Sequence, residues 1–386
     1  MTRRIGVIGF IAMAASLWLP QSGPAAAPVS FRAQQNLPST ARCWHRVPSP
    51  NGTDTNNNYL EGVDGVSSND LWAVGLDQGV FPNEGLIEHY DGSSWTVSAQ
   101  INIGAGGTAL YAVHAVSSND VWSVGYFNRT LPLVEHWDGT GWFISETPVP
   151  GVAQSLVGVA AASSTDVWAV GDYNPTSNGP TQTLAFHWNG TGWTQVQTPS
   201  PGSFANQLNA IDVVSSNDVW AVGVYSNSNG TVATLTEHWD GTTWSVVPSP
   251  APSLPDLTAV TTIASDDVWA VGSGPNGGFS IHWDGATWTT VAMPLVGVED
   301  YLHGLAHTSS SDVWAVGEAA PNFESWQALA LHWNGVRWTP VKAPSGPQEA
   351  HFYGVTDFTP SDAWAVGSMV PFGGIESTLT ERLVRC

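Results

Sequence analysis

Six histidines, His89, His136, His187, His238, His282 and His332, recur at a near-constant spacing, and Arg382 takes the seventh place. Imidazole is a common metal ligand and acid–base group, so the series invites a metal reading. Yet each histidine falls at the same place in a repeat. A repeated position argues for a repeated structural bond, with the repeated aspartates as partners, because buried polar groups must be satisfied.

A second set is irregular. Tyr59, Glu61, Tyr111, Gln207, Asn209, Asp256, Tyr301, His303, His351 and Tyr353 differ from unit to unit, so packing does not dictate them. Tyr301, His303, His351 and Tyr353 come from neighbouring units and carry the groups that grip ligands, bind metals or move protons. Their plainer reading is ordinary loop surface. Of the tryptophans after Trp18, Trp326 alone lies outside the repeat pattern; it suits stacking on a sugar or filling a partner's pocket, or else folds onto the neighbouring strand. No Gly-x-Ser-x-Gly nucleophile motif is present. The Gly-rich stretch from Gly104 to Gly107 lacks the strand-to-helix setting of a phosphate loop.

What must position these residues is a repeat. The segment Ser-Ser-Asn-Asp-Val-Trp-Ala-Val-Gly at 215–223 recurs in variants whose aspartates are Asp70, Asp120, Asp166, Asp218, Asp267, Asp312 and Asp362. That spacing is of blade length and longer than helical repeats. Each unit parses into four short strands of alternating apolar residues separated by turn residues. Strand a reads Leu-x-Gly/Ala-Val, strand b Val-Trp-Ala-Val-Gly, strand c Thr-Leu-Thr-Glu-His-Trp; strand d starts at a further tryptophan after an Asp-Gly turn. The third residue of strand a is Gly62, Ala112, Gly158, Ala210, Ala259, Gly304 or Gly354, always small. Innermost strands crowded around an axis require that. The sequence therefore predicts an all-β, seven-bladed β-propeller of four-stranded blades.

The seventh unit stops at Cys386 without a strand d, and Cys43-Trp44-His45-Arg46-Val47-Pro48-Ser49-Pro50 supplies one with no blade before it. The ring is expected to close by this N-terminal strand completing the last blade, which hides edges that invite aggregation. In the repeat frame Cys386 aligns with Thr242 and Cys43 with Thr243, neighbours in one turn. A disulfide between Cys43 and Cys386 is the expectation for an exported chain with two cysteines.

Glu88-His89-Tyr90-Asp91-Gly92-Ser93-Ser94-Trp95 resembles the Glu-x-Tyr-Asp…Trp pattern of kelch repeats, and Val-Trp-Ala-Val-Gly resembles the kelch strand that ends in a Gly-Gly doublet. A single Gly stands for the doublet, and the c–d turn is shorter. That turn is also similar to the Asp-box of sialidase-like propellers, with one residue missing. The resemblance covers Cys43 to Cys386 and implies the fold; kelch-like propellers range from protein adaptors to a copper oxidase, so it does not fix an activity. The sialidase likeness would imply an arginine triad, but Arg129 is the only Lys or Arg between Leu60 and Gly335.

The formal charge of −22, from 32 acidic against 10 basic residues with Lys342 the single lysine, argues against nucleic acid and anionic membranes as partners. Arg3 and Arg4, the apolar stretch Ile5 to Leu19 and Ala25-Ala26-Ala27 read as an export signal over 1–27. A linker over 28–42 and the propeller over 43–386 follow, with no membrane span.

The functional expectation is a secreted, non-catalytic binding scaffold recognising an extracellular protein or polysaccharide. Its recognition face should carry the b–c and d–a loops, which vary, while the a–b and c–d turns are uniform and lie on the opposite rim. The candidate ligand-binding residues are Tyr301, His303, His351, Tyr353, Trp326, Tyr111, Glu61 and Asn209. No cofactor, metal ligand or catalytic residue is assigned. The alternative is a propeller enzyme, carbohydrate-active or copper oxidase-like, with its site at the axial mouth; a structural envelope role is the weaker one.

Overall fold

A computed structural model describes residues 42–52, 56–79, 82–322, 325–343, 349–370 and 374–385. The export signal and almost all of the linker expected from the sequence, and Cys386, lie outside the described residues. Among the described residues there are strands and no helix, hence none long and apolar enough to cross a membrane.

β1 spans Arg42–Arg46. Blade 1 is β2 (Asn57–Ser67), β3 (Asp70–Gln78), β4 (Glu84–Tyr90) and β5 (Trp95–Ile101). Blade 2 is β6 (Thr108–Ser117), β7 (Asp120–Phe127), β8 (Leu131–Trp137) and β9 (Trp142–Ile144). Blade 3 is β10 (Ala153–Ser163), β11 (Asp166–Asn174), β12 (Gln182–Trp188) and β13 (Trp193–Val196). Blade 4 is β14 (Ala205–Ser215), β15 (Asp218–Ser226), β16 (Val232–Trp239) and β17 (Trp244–Val246). Blade 5 is β18 (Asp256–Ala264), β19 (Asp267–Gly274), β20 (Gly277–Trp283) and β21 (Trp288–Val291). Blade 6 is β22 (Glu299–Ser309), β23 (Asp312–Asn322), β24 (Ser325–Trp333) and β25 (Trp338–Pro340). Blade 7 is β26 (Glu349–Thr359), β27 (Asp362–Val370) and β28 (Ser377–Arg385), completed by β1 on its outer edge.

The seam has the register expected from the repeat. Cys43 lies opposite Val384 and Trp44 opposite Leu383. Beyond β1, the Val47 N–H donates to the Thr380 carbonyl at 2.9 Å. Arg42 reaches out of its blade to Asp312 of blade 6 at 3.0 Å.

Tryptophans hold blade to blade. The strand-b ring of each blade meets the first strand-d ring of the next edge-on. Trp72–Trp142 is the closest such pair at 5.2 Å, and Trp364–Trp95 closes the ring at 5.7 Å. Edge-to-face pairs of this kind contribute roughly 0.5–1.5 kcal/mol beyond area burial. The Trp44–Trp314 pair, at 5.5 Å and 85°, shows the N-terminal strand filling the same slot.

The repeated histidines are spent within this framework. Each Nε2–H donates to the aspartate that opens strand b, from His332–Asp312 at 2.6 Å to His89–Asp70 at 2.8 Å. Each ring also lies against its blade's strand-b indole, as His136 does on Trp122 at 4.0 Å. In blade 7 Arg382 takes both roles, bonding Asp362 through two nitrogens at 2.8 Å with its guanidinium 5.3 Å from Trp364.

Around the axis, a side chain on Gly354 would meet the Gly62 Cα at 3.1 Å, which explains the run of small residues there. Each strand a also carries a β-bulge between its Leu (Phe352 in blade 7) and this small residue, so the residue between them has no cross-strand partner. The bulge draws the preceding carbonyl against strand b. At Gly223 a Cβ would stand 2.0 Å from the Gln207 oxygen, and the equivalent glycine of every blade is equally confined. The Gly of Val-Trp-Ala-Val-Gly is thus the counterpart of the bulge.

Candidate functional site

Bulges re-aim side chains, and here they build the inner rim. The extra residue is Glu61, Tyr111, Val157, Asn209, Thr258, His303 or Tyr353 in blades 1 to 7. The irregular polar residues therefore occupy only two repeat positions, this one and the residue before the Leu. Both lie where strand a leaves the d–a connection.

The rim divides into three groups. Asn209 is engaged in holding blade 4 to blade 5, donating to Asp256 and to the Leu257 carbonyl, both at 2.7 Å. Burial raises the Asp256 carboxyl to about 6 against that bond. Tyr111 lies 5.9 Å from Tyr126, and burial, then Tyr126 and Glu61, push its hydroxyl well above the usual range.

The third group brings most candidates together. The His351 ring N–H donates to Glu318, and His303 Nε2 stands 3.8 Å from the other carboxylate oxygen. Burial alone would raise the Glu318 carboxyl; the bonds and charges of His303 and His351 outweigh it and hold the group well below the usual range. The Tyr353 ring lies 6.1 Å from His351 and nearly parallel to it, and 5.4 Å from His303 at a tilt of 59°. Tyr301 pairs across the strand with Glu318 and packs on Trp326 at 5.5 Å. Trp326 is half-buried, so its ring is partly folded onto blade 6 and partly open.

Glu318 was not a sequence candidate. It follows the strand-b glycine, where the other blades carry Leu76, Tyr126, Asp172, Val224, Ser273 and Ser368, and that variability was the available signal. Both histidines turn to Glu318, and the described residues hold no group of three His, Cys, Asp or Glu placed for a metal ion. The arrangement is a fixed carboxylate flanked by aromatic rings.

The two rims differ in chemistry. In six c–d turns an Asp or Asn oxygen accepts two backbone N–H groups, as Asp240 does from Thr242 at 2.8 Å and Thr243 at 2.9 Å. The Thr242 hydroxyl and these N–H bonds hold the Asp240 carboxyl at about 2, and Gly241 takes a φ of 90°. These oxygens are already occupied. The opposite rim is stitched by loop-to-loop bonds such as Phe204 N–H to Ser226 carbonyl at 3.0 Å, and it exposes apolar side chains. Val149, Val152, Phe204, Leu254, Leu295 and Val298, all on d–a connections, are exposed, Leu295 by 61 %.

No protein-family model matches the chain, and no curated protein matches it. Solved propellers do. The chain is similar to YCF48 bound to D1 peptide at 15 % identity, TM-score 0.57, over 91 % of this chain and 99 % of that one. YCF48 from Cyanidioschyzon merolae matches at 15 % identity, TM-score 0.54, over 88 % and 98 %. The fucose-specific lectin from Aleuria aurantia matches at 12 % identity, TM-score 0.51, over 73 % and 94 %. Likeness at this identity establishes the propeller fold and nothing finer.

Proposed function

We propose that the protein is a secreted, non-catalytic binding scaffold of kelch-like or Asp-box-like type that recognises an extracellular protein or polysaccharide through its b–c and d–a loops. The observation that carries this reading is the contrast between the rims. One has an Asp or Asn oxygen of six turns committed to its own backbone; the other exposes six apolar side chains on its d–a connections, Leu295 and Val298 among them leading into the strand of Tyr301 and His303. Binding loops on a rigid scaffold commonly have that character. Two of the similar propellers carry a peptide and a sugar specificity in their names, which supports a ligand of either kind.

The test is a screen of the mature protein on peptide and glycan arrays, followed by replacement of Trp326, Tyr301, His303 and Tyr353 by Ala. Binding should be abolished while the thermal midpoint moves by only a few degrees. Retained binding in that variant, with loss on substitution in the Asp-Gly turns, would place recognition on the other face.

Export carries a second expectation, a disulfide between Cys43 and Cys386. It is supported by the position of Cys43 opposite Val384, two residues before the chain end. Thiol labelling of denatured, unreduced protein should find neither cysteine free. Two reactive thiols would refute the bridge.

A further inference from the structure

We propose that the loop face over blades 5 to 7 binds an extended basic peptide, whose Arg or Lys side chain is received by the Tyr301–Trp326 pair. This deepens the loop-face reading and rests on it.

The first support is the pair itself. The rings lie 5.5 Å apart at 48°, Tyr301 is 37 % exposed and Trp326 half-buried, so the pair leaves aromatic surface open to solvent at the rim. Trp326 belongs to none of the repeated tryptophan positions that pair blade to blade. A guanidinium or ammonium over such a pair is attracted by the ring quadrupoles.

The second support is charge. Glu299 opens the same strand, and Glu318 lies directly across from Tyr301. After burial, these two carboxylates are what raise the Tyr301 hydroxyl, so their field reaches the ring. Asp256, Glu349 and Glu376 stand on the neighbouring parts of this rim. Against them stand Lys342, His303 and His351, and both imidazoles are turned onto Glu318. Among the described residues, carboxylates outnumber cations here whatever charge the imidazoles carry. The formal charge of −22 adds long-range attraction for a basic partner.

The third support is what flanks the pair. Leu295 and Val298 precede β22, and Ile375 lies in the b–c connection of blade 7; all three are exposed. A segment alternating basic and apolar side chains matches that surface, whereas a neutral glycan would leave its apolar and ionic parts unused.

The experiment uses the mature protein and a fluorescein-labelled hexapeptide alternating Arg and Leu, read by anisotropy. A Glu-for-Arg version and a neutral oligosaccharide are run in parallel. The Arg peptide should bind, more weakly as salt rises, and the Glu version should not. Trp326→Ala and Tyr301→Ala should each weaken binding about 3- to 30-fold. Glu299→Lys should do at least as much. Glu146→Lys, an equal charge change on an exposed residue across the ring, should have less than about a 2-fold effect at moderate salt.

Equal losses from Glu299→Lys and Glu146→Lys would reduce the effect to overall charge and overturn the proposal. So would retained affinity in both aromatic variants. Oligosaccharide binding without peptide binding would overturn the basic peptide while leaving the loop face intact as the recognition surface. Peptide binding lost only on substitution in the Asp-Gly turns would overturn both.

Discussion

Replacing Glu237 by Leu should stabilise the propeller, by about the 1–3 kcal/mol that an unsatisfied buried polar group costs, and by more at pH 8 than near pH 4.5. Glu88, Glu135, Glu237 and Glu381 occupy the residue before the strand-c His or Arg, where the sister blades carry Phe186, Ile281 and Leu331. All four are buried, against Ala73, Ser123, Ala221 and Ala365 across the strand. Neither oxygen of Glu88 or Glu237 has a hydrogen-bond partner among the described residues. Burial accordingly pushes Glu135 up to about 7 and Glu381 up to about 8, and drives Glu88 and Glu237 well above the usual range.

The sign follows from the protons. An unfolded glutamate ionises near 4.3, whereas the folded site holds its proton to higher pH, so the folded state binds more protons between those values. Stability is intact below the unfolded value, falls as pH rises, and levels off above the folded value. The intact protein should therefore unfold at a higher denaturant concentration at pH 5 than at pH 8. Self-repulsion from the net negative charge acts in the same direction, so the variant separates the two. Urea titrations of wild type and Glu237→Leu at both pH values decide it; an equal gain at pH 5 and pH 8 would trace the effect to packing alone.

Gly223→Ala should cost about 3 kcal/mol or more, the scale of severe overpacking. The added Cβ would stand 2.0 Å from the Gln207 carbonyl oxygen and 2.9 Å from the Leu208 Cα, and both are backbone atoms that no rotamer change relieves. To admit it, β14 must give up the bulge that sets Asn209 on the inner rim. Gly192→Ala is the control. A Cβ there meets nothing within 4 Å, and stability should stay within about 0.5 kcal/mol. Denaturation midpoints of the two variants measure the contrast, and a mild effect at Gly223 would mean the bulge is soft.

The repeat made the blades legible because its signals are local. Asp-Gly turns, alternating strands and paired tryptophans each announce themselves within a few residues, and the displaced strand around Trp44 follows from counting. The His–Asp bonds were legible for the same reason, since both partners recur together. The bulge was not. Leu-x-Gly reads as plain alternation, and only the cross-strand register shows that x is unpaired. Hence Glu61, Tyr111, Asn209, His303 and Tyr353 looked like scattered polar residues, although they share one position. Glu318 escaped because its importance depends on His303 of its own blade and His351 of the next, a relation no short window contains. The strand-c glutamates were hidden differently: Thr-Leu-Thr-Glu-His-Trp suggests an outward carboxylate, but packing against the preceding blade buries it.

The borrowed strand also sets a timetable. Val47 bonds Thr380, 333 residues along the chain, while most other strand pairs join near neighbours. A chain emerging from its N-terminus can assemble blades 1 to 6 in succession, each from its own residues. β1 must then wait, its edge unpaired, until β28 arrives. Non-local pairing of this span is the slow kind, and open edges during the delay are exposed to wrong partners. Moving the chain ends to a d–a connection, with 385 and 42 joined by a short linker, would make every blade local and leave no strand waiting. Refolding yield at rising protein concentration would then report how much of the protein's handling is governed by where its ring is cut.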